Sequence, residues 1–435
     1  MKVFMLGWEF PPFISGGLGT ACYGLTKAMD QLGIKIVFVL PRTVEVESEY
    51  STHVELLTPG SRRAKAYLER EGLKNVTFWA IDSPLRPYET ACVRRQHAEK
   101  ISAGKQQILG SNASSVGRIA DGMDYSGDIC TVVHRYAEEA SKLAQGEQFD
   151  IVHAHDWMTY PAGEAVSQQS HKPLIVHVHS TEFDRSGEHV NQAVYDTERM
   201  GMHAAAKIIA VSNLTKNTIL KHYSVPSEKV EVVYNAVEHS GNESQRVPLD
   251  KTDKIVLFLG RITMQKGPEY FLAAAKKVLE EINNVKFIMA GSGDTMHRTI
   301  ELAARMGIGH KVLFTGFLRG EDVDRAYQMA DLYVMPSVSE PFGIAPLEAM
   351  NRNVPVLISK QSGVAEVVSH ALKVDFWDIN EMANKMIAVL KRPPLQKTLS
   401  RNGFHEAHKF NWEDSAMKVK KIYEEVIAQA QSKEK

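Results

Sequence analysis

Short, almost wholly apolar runs that stop at glycine, proline, hydroxyl or charged residues recur along this chain. They fall into two series. Lys2–Leu6, Ile34–Leu40, Phe149–Trp157, Leu174–Glu182, Lys207–Ser212 and Val230–Asn235 form the first. Lys254–Leu259, Val285–Ala290, Lys311–Gly316, Asp331–Pro336 and Pro355–Ser359 form the second. Runs without polar alternation suit strands covered on both faces, which is the situation in a parallel sheet flanked by helices. Between the first two runs, Cys22, Leu25, Met29 and Leu32 recur at helical spacing and Gly33 supplies a stop. The chain is therefore expected to be α/β, with strand, helix and parallel strand repeated in each half.

His239–Asp253, rich in Ser, Asn, Glu, Pro and Asp, separates the two series. With 435 residues the chain exceeds one ordinary domain. The expected division is 1–238, 239–405 and a terminal helix within 406–435, whose Trp412, Ala416, Val419, Ile422 and Val426 make an apolar stripe. Residues from about 43 to 146 give no comparable pattern; within them Thr77–Ile81 reads as a strand and Ser61–Lys65 as a solvated face. A net charge of −1 argues against nucleic-acid or membrane attraction by bulk electrostatics. No apolar run approaches the roughly 18 residues of a membrane span, and no signal peptide is evident. Cys22, Cys92 and Cys130 lack metal-ligand spacing. A cytoplasmic, reducing location is expected.

The chemistry concentrates at strand ends. In Pro336-Ser-Val-Ser-Glu-Pro-Phe-Gly-Ile-Ala-Pro-Leu-Glu-Ala-Met350, Glu340 and Glu348 lie eight residues apart around Gly343 and Pro346. The spacing predicts Glu340 in the loop after a strand, and Glu348 in the first turn of a helix opened by Pro346. Open α/β sheets bind ligands there, and carboxylates suit the hydroxyls of a sugar or ribose. The competing role for Glu348 is simple complementation of the helix dipole. Arg261 and Lys266 share one strand-to-helix loop, where two cations suit a diphosphate gaining charge as it leaves. Gly291 and Gly293 allow close backbone approach to a nucleotide. Gly16, Gly17 and Gly19 precede a helix predicted from Thr20, but Cys22 stands where a dinucleotide fingerprint wants its third glycine, and the loop is too long for that turn. His153, His155 and Asp156 end one strand; His177, His179 and Glu182 end another. Strand alternation puts each histidine pair on one face. Binding a polar ligand and satisfying loop backbone is favoured over a metal cluster, because no HExxH-like spacing appears.

Taken together, these motifs resemble retaining glycosyltransferases of the GT-B architecture, family four or the neighbouring glycogen and starch synthases. Glu340 to Glu348 is similar to their E-x7-E signature, Gly260-Arg261…Lys266-Gly267 to their G-R…K-G loop, Gly16-Gly17-Leu18 to their G-G-L loop, and His153-Ala-His-Asp-Trp157 to the H-x-H-D-W of glycogen synthases. The resemblance implies two Rossmann-like domains across a cleft, with acceptor on the first, nucleotide sugar on the second, and the final helix crossing back. It implies Arg261 and Lys266 on the leaving diphosphate, Glu340 on the donor sugar, Glu348 on the ribose, His179 near the reacting centre, Gly16, Gly17, Gly291, Gly293 and Gly343 around the donor, and Asp156 on the acceptor side. It implies front-face attack without a glycosidase-type acid and nucleophile, no cofactor and no bound metal. The expected partners are ADP- or UDP-glucose and a glycan acceptor, with no nucleic acid. One departure is Ile14, where bacterial glycogen synthases carry lysine. The alternatives are transfer to cell-envelope or small acceptors, or sugar-nucleotide binding without catalysis.

Overall fold

The computed structural model describes residues 1–11, 16–42, 72–82, 128–239 and 253–433. In the first half, β1 (Lys2–Leu6), β2 (Lys35–Arg42), β3 (Val76–Asp82), β4 (Ile151–His155), β5 (Leu174–Val178), β6 (Lys207–Ala210) and β7 (Val230–Val232) form one sheet in the order β3-β2-β1-β4-β5-β6-β7. In the second, β8 (Lys254–Leu259), β9 (Val285–Ala290), β10 (Val312–Gly316), β11 (Leu332–Met335), β12 (Val356–Ser359) and β13 (Leu372–Val374) run β10-β9-β8-β11-β12-β13. The paired strands are parallel, with Val3 beside both Ile36 and Ile151, and Leu257 beside both Ile288 and Tyr333. Both sheets are of the Rossmann-like kind. The order reverses between β1 and β4 and again between β8 and β11. Loops diverge at such reversals, so a crevice opens beyond the C-terminal ends of those four strands.

The strands pair because both faces are covered. Val3 to Leu6 are fully buried, as are Val256 and Leu257 in the centre of β8. The final helix, Trp412–Lys433, buries Trp412, Ala416, Val419, Tyr423 and Val426 in the core of the first sheet. Its Trp412 indole lies where a Cβ on Gly24 would stand, 2.2 Å away. The helix thus packs onto the half of the chain farthest from it in sequence, a choice that its apolar stripe alone does not specify.

Two helix starts differ from the sequence expectation. The first helix is Gly17–Gln31, beginning three residues before Thr20. Gly16 is extended and accepts from the Thr20 N–H at 3.0 Å, while the Glu9 carboxylate accepts from the Gly19 N–H at 2.9 Å. A carboxylate from the preceding loop therefore satisfies one of the first-turn N–H groups. The other is Ile344–Asn351, capped by Gly343 at φ 99°. Pro346 is then its third residue, still among positions whose N–H has no helical partner. Glu348 consequently sits in the second turn, beyond the first-turn dipole position. Ser61–Lys65 and Ile14 lie outside the described residues. Among the described residues, no helix is long and apolar enough to cross a membrane.

Candidate active site

The loops after β8 and β11 meet at the reversal point of the second sheet. After β8, Met264–Lys266 forms a short helical turn, and Gly267 then hands over to the helix Pro268–Glu281, with proline in its first turn. Lys266 Nζ donates to Glu340 Oε2, and Ser337 Oγ donates to the same oxygen at 3.3 Å. Glu340 itself is held by its backbone: its N–H donates to the Gln361 carbonyl at 2.9 Å, and its carbonyl accepts from the Gly363 N–H at 2.9 Å. The carboxylate is thus buried, paired and fixed in position. Glu348 accepts from the Tyr327 hydroxyl at 2.9 Å; burial raises its pKa, opposed by Arg352. Tyr333 lies near both glutamates: burial first, then the charges of Glu340 and Glu348, push its hydroxyl pKa up. Arg261, half-buried, belongs to the same loop as Lys266.

Gly291 and Gly293 follow β9. A Cβ on Gly291, at φ 141°, would stand 1.9 Å from the Gly260 carbonyl oxygen, and one on Gly293 would stand 2.1 Å from that of Ile262. The Ile262 N–H donates to the Ser292 carbonyl at 2.9 Å. The glycines therefore let the β9 loop lie against the Arg261 loop, a packing requirement that the sequence reading did not supply. Gly343 sits against Glu340, whose Cγ would be 3.1 Å from an added Cβ.

In the first half, Gly16 and Gly17 form the start of the helix after β1, and Asp156 follows β4 at φ 59°. That backbone conformation is uncommon for a non-glycine residue. It aims the Asp156 carboxylate at the next strand's end, where Oδ1 accepts from the N–H groups of His179 at 2.7 Å and Ser180 at 3.3 Å. Burial pushes the Asp156 pKa up to about 7 against the opposing pull of Arg185 and these N–H groups. Asp156 and His179 are thereby brought together, and the aspartate holds the histidine loop.

Behind His179 stand three more imidazoles. His177 stacks on His179 with ring centroids 4.2 Å apart, His153 on His155 at 4.2 Å, and His153 lies parallel to His177 within 6°. Burial is the main cause lowering all four pKa values, to about 3 for His155, so the rings are neutral. Ring nitrogens of His153, His155 and His177 lie within 4.8 Å of one another, as do ligand atoms of Cys22, His155 and His179. Around a zinc ion bound at about 2.0–2.1 Å, nitrogens sit roughly 3.3 Å apart on rings that radiate from the metal. The rings of His153, His155 and His177 instead stack, which carries their nitrogens side by side.

Contacts between the halves went unseen in the sequence. Ser339 Oγ, next to Glu340, donates to Asp184 Oδ1 at 2.6 Å. Ser212 Oγ donates to the Pro341 carbonyl at 2.5 Å. Glu366 accepts from the N–H groups of Asn213 at 3.0 Å and Leu214 at 2.6 Å, capping a helix of the other half. The segment carrying Asp184 is anchored by Arg185, which pairs with the buried Glu182 at 3.2 Å and with Glu198. Only the capping-type residue Ser212 before a helix offered a local signal.

Comparison with known proteins agrees with this two-sheet fold. Residues 126–240 match the family described as Glycosyltransferase Family 4, and residues 240–425 match Glycosyl transferases group 1. An uncharacterized glycosyltransferase of Methanocaldococcus jannaschii is 27% identical, over 97% of this chain and 98% of its own. A glycogen synthase of Mycobacterium tuberculosis is 23% identical, over 97% and 94% respectively. The crystal structure of Anabaena HepE in complex with UDP-glucose superposes with a TM-score of 0.65 at 17% identity, covering all of both chains, a likeness of fold alone. The chain belongs to the GT-B glycosyltransferases of the family-4 type.

Proposed function

We propose that this glycosyltransferase moves a hexose, glucose in the first instance, from a nucleoside diphosphate to a glycan hydroxyl with retention of anomeric configuration. The observation that carries the reading is the Lys266–Glu340 pair at the reversal point of the second sheet. A lysine ammonium has three donors. One on Glu340 leaves the group able to reach a phosphate oxygen as well, so the cation can sit between the leaving diphosphate and the carboxylate that holds the sugar. Arg261, in the same loop, would supply the second cation. Glu348 would accept from ribose hydroxyls, with Gly16, Gly17, Gly291, Gly293 and Gly343 lining the donor. On this reading residues 239–405 hold the donor and residues 1–238 the acceptor, with His179 near the reacting centre and Asp156 supporting it.

Catalysis would then rest on positioning and charge stabilisation. It needs no resident metal, and the stacked histidines are better suited to shaping the pocket than to chelation. Similarity to a glycogen synthase supports a glucan acceptor, and the UDP-glucose complex of a fold neighbour supports a nucleotide sugar, with ADP- and UDP-glucose the donors to try first. The test is incubation with UDP- or ADP-glucose and a short α-glucan, with the anomeric proton of the product read by NMR. An axial product supports the reading, whereas an equatorial product or no transfer with either donor overturns it.

A further inference from the structure

His155 Nδ1 and His179 Nε2 are 3.0 Å apart, so one of these neutral rings donates and the other accepts. The choice follows from what else each ring touches. His155 is fully buried, and among the described residues its Nε2 has no hydrogen-bond partner. With the His155 proton on Nε2, an N–H would be sealed away without an acceptor, whereas with the proton on Nδ1 only a bare lone pair is left. Orphaned buried N–H groups are the rarer and costlier of the two. The proton therefore belongs on His155 Nδ1, donated to His179 Nε2. A neutral His179 then carries its own proton on Nδ1.

We propose that His155 is a positioning residue that locks His179 as its Nδ1–H tautomer, so that His179 presents a hydrogen-bond donor, and not a base, to an oxygen-rich ligand in the cleft. The value of this for transfer rests on the reading that His179 lies at the reacting centre. His155 is too deeply buried to touch substrate and acts through His179. It is itself clamped by stacking on His153, whose Nδ1 lies 2.5 Å from the Tyr423 hydroxyl of the final helix. His179 is held from two further sides, by the Asp156 carboxylate on its backbone N–H and by the His177 ring. The device thus runs from the crossing helix to the cleft. The second ring nitrogen of a histidine commonly sets what the first can do.

The test is to read ring-nitrogen shifts by NMR in protein labelled with 15N-histidine, with signals assigned by single histidine substitutions. In the unsubstituted chain, His155 and His179 are each expected as one neutral tautomer protonated on Nδ1. In His155→Leu, His179 should pass to a mixture or to the Nε2–H form. In His155→Asn, whose amide can stand near the Nδ1 position, the original form should return. Kinetically, His155→Leu should lower kcat about tenfold, the worth of roughly one hydrogen bond, with little change in donor KM, and His155→Asn should recover most of it. His179 protonated on Nε2 in the unsubstituted chain overturns the proposal, as does a tautomer that His155→Leu leaves unchanged. A chain that turns over no sugar donor defeats the functional reading while the tautomer measurement still decides this one.

Discussion

Lys266 and Glu340, 74 residues apart in the chain, form an ion pair where the strand order of the second sheet reverses. Neither side chain is more than a fifth exposed. Removing the cation strands the Glu340 carboxylate and, on the proposed function, also takes away a contact to the leaving diphosphate. Lys266→Ala is expected to lower kcat by about 10²–10³-fold, the usual loss for one electrostatic contact to developing charge. It should also reduce unfolding free energy by roughly 1–3 kcal/mol. The double variant Lys266→Ala/Glu340→Gln should regain part of the stability and none of the activity. Recovery of activity would show that the lysine serves the glutamate alone.

Gly293 and Gly17 look alike in the sequence and should behave differently. Alanine at 293 drives a Cβ into the Ile262 carbonyl, a backbone atom that cannot step aside. Gly293→Ala is expected to destabilise by about 2 kcal/mol or more. At Gly17 no described atom lies within 4 Å of an added Cβ. Gly17→Ala should leave the melting temperature nearly unchanged while weakening donor binding. Urea denaturation and donor titration on both variants separate the two roles, and equal destabilisation would refute the contrast.

How much of this was legible in the residues depended on range. Strand positions were readable because unbroken apolar runs need two-sided cover, and β8 and β9 fall where Lys254–Leu259 and Val285–Ala290 put them. Helix starts were misplaced where a distant or special backbone group did the capping: Glu9 on Gly19, and Gly343 at positive φ. β13 was missed because Leu372-Lys373-Val374, three residues with a lysine in the middle, makes no apolar run. The Lys266–Glu340 contact was half legible, since each residue could be assigned to a strand end while their meeting depends on the order β8-β11. Asp156 on His179, Ser339 on Asp184 and Glu366 on a helix of the other half are contacts between distant segments, and no local pattern encodes them.

Asp156 gives stability a signed pH dependence. Its pKa in the folded chain, about 7, lies above the ordinary 3.8 because burial disfavours the charge. Between those values the folded chain keeps a proton that the unfolded chain has released. Its contribution therefore falls as pH rises from about 4 to about 7, by up to roughly 1.4 kcal/mol per unit, and is level above that. Asp156→Asn keeps an oxygen for the His179 and Ser180 N–H groups and removes the titration. The variant should gain on the unsubstituted chain across that window in denaturation series at stepped pH. Parallel curves would contradict this assignment.

The final helix is expected to be indispensable to the first half. Trp412 is buried with Tyr423 in that core, and Trp412→Ala should cost about 3–5 kcal/mol. Tyr423→Phe, which removes only the hydroxyl near His153, should cost about 1 kcal/mol. Chemical denaturation followed by tryptophan fluorescence for Tyr423→Phe, and by circular dichroism for Trp412→Ala, checks both. A Trp412→Ala loss below that of Tyr423→Phe would mean the helix is not held as described.

The central claim is that the cleft edge formed by Lys266, Glu340 and Glu348 holds a nucleoside diphosphate sugar. A thermal-unfolding screen against UDP-, ADP- and GDP-sugars measures it most directly. At about 100 times its dissociation constant the true donor should stabilise the chain by roughly 2.7 kcal/mol, and most of that gain should vanish in Lys266→Ala. No stabilisation by any sugar nucleotide, or a gain of equal size in Lys266→Ala, would contradict the account.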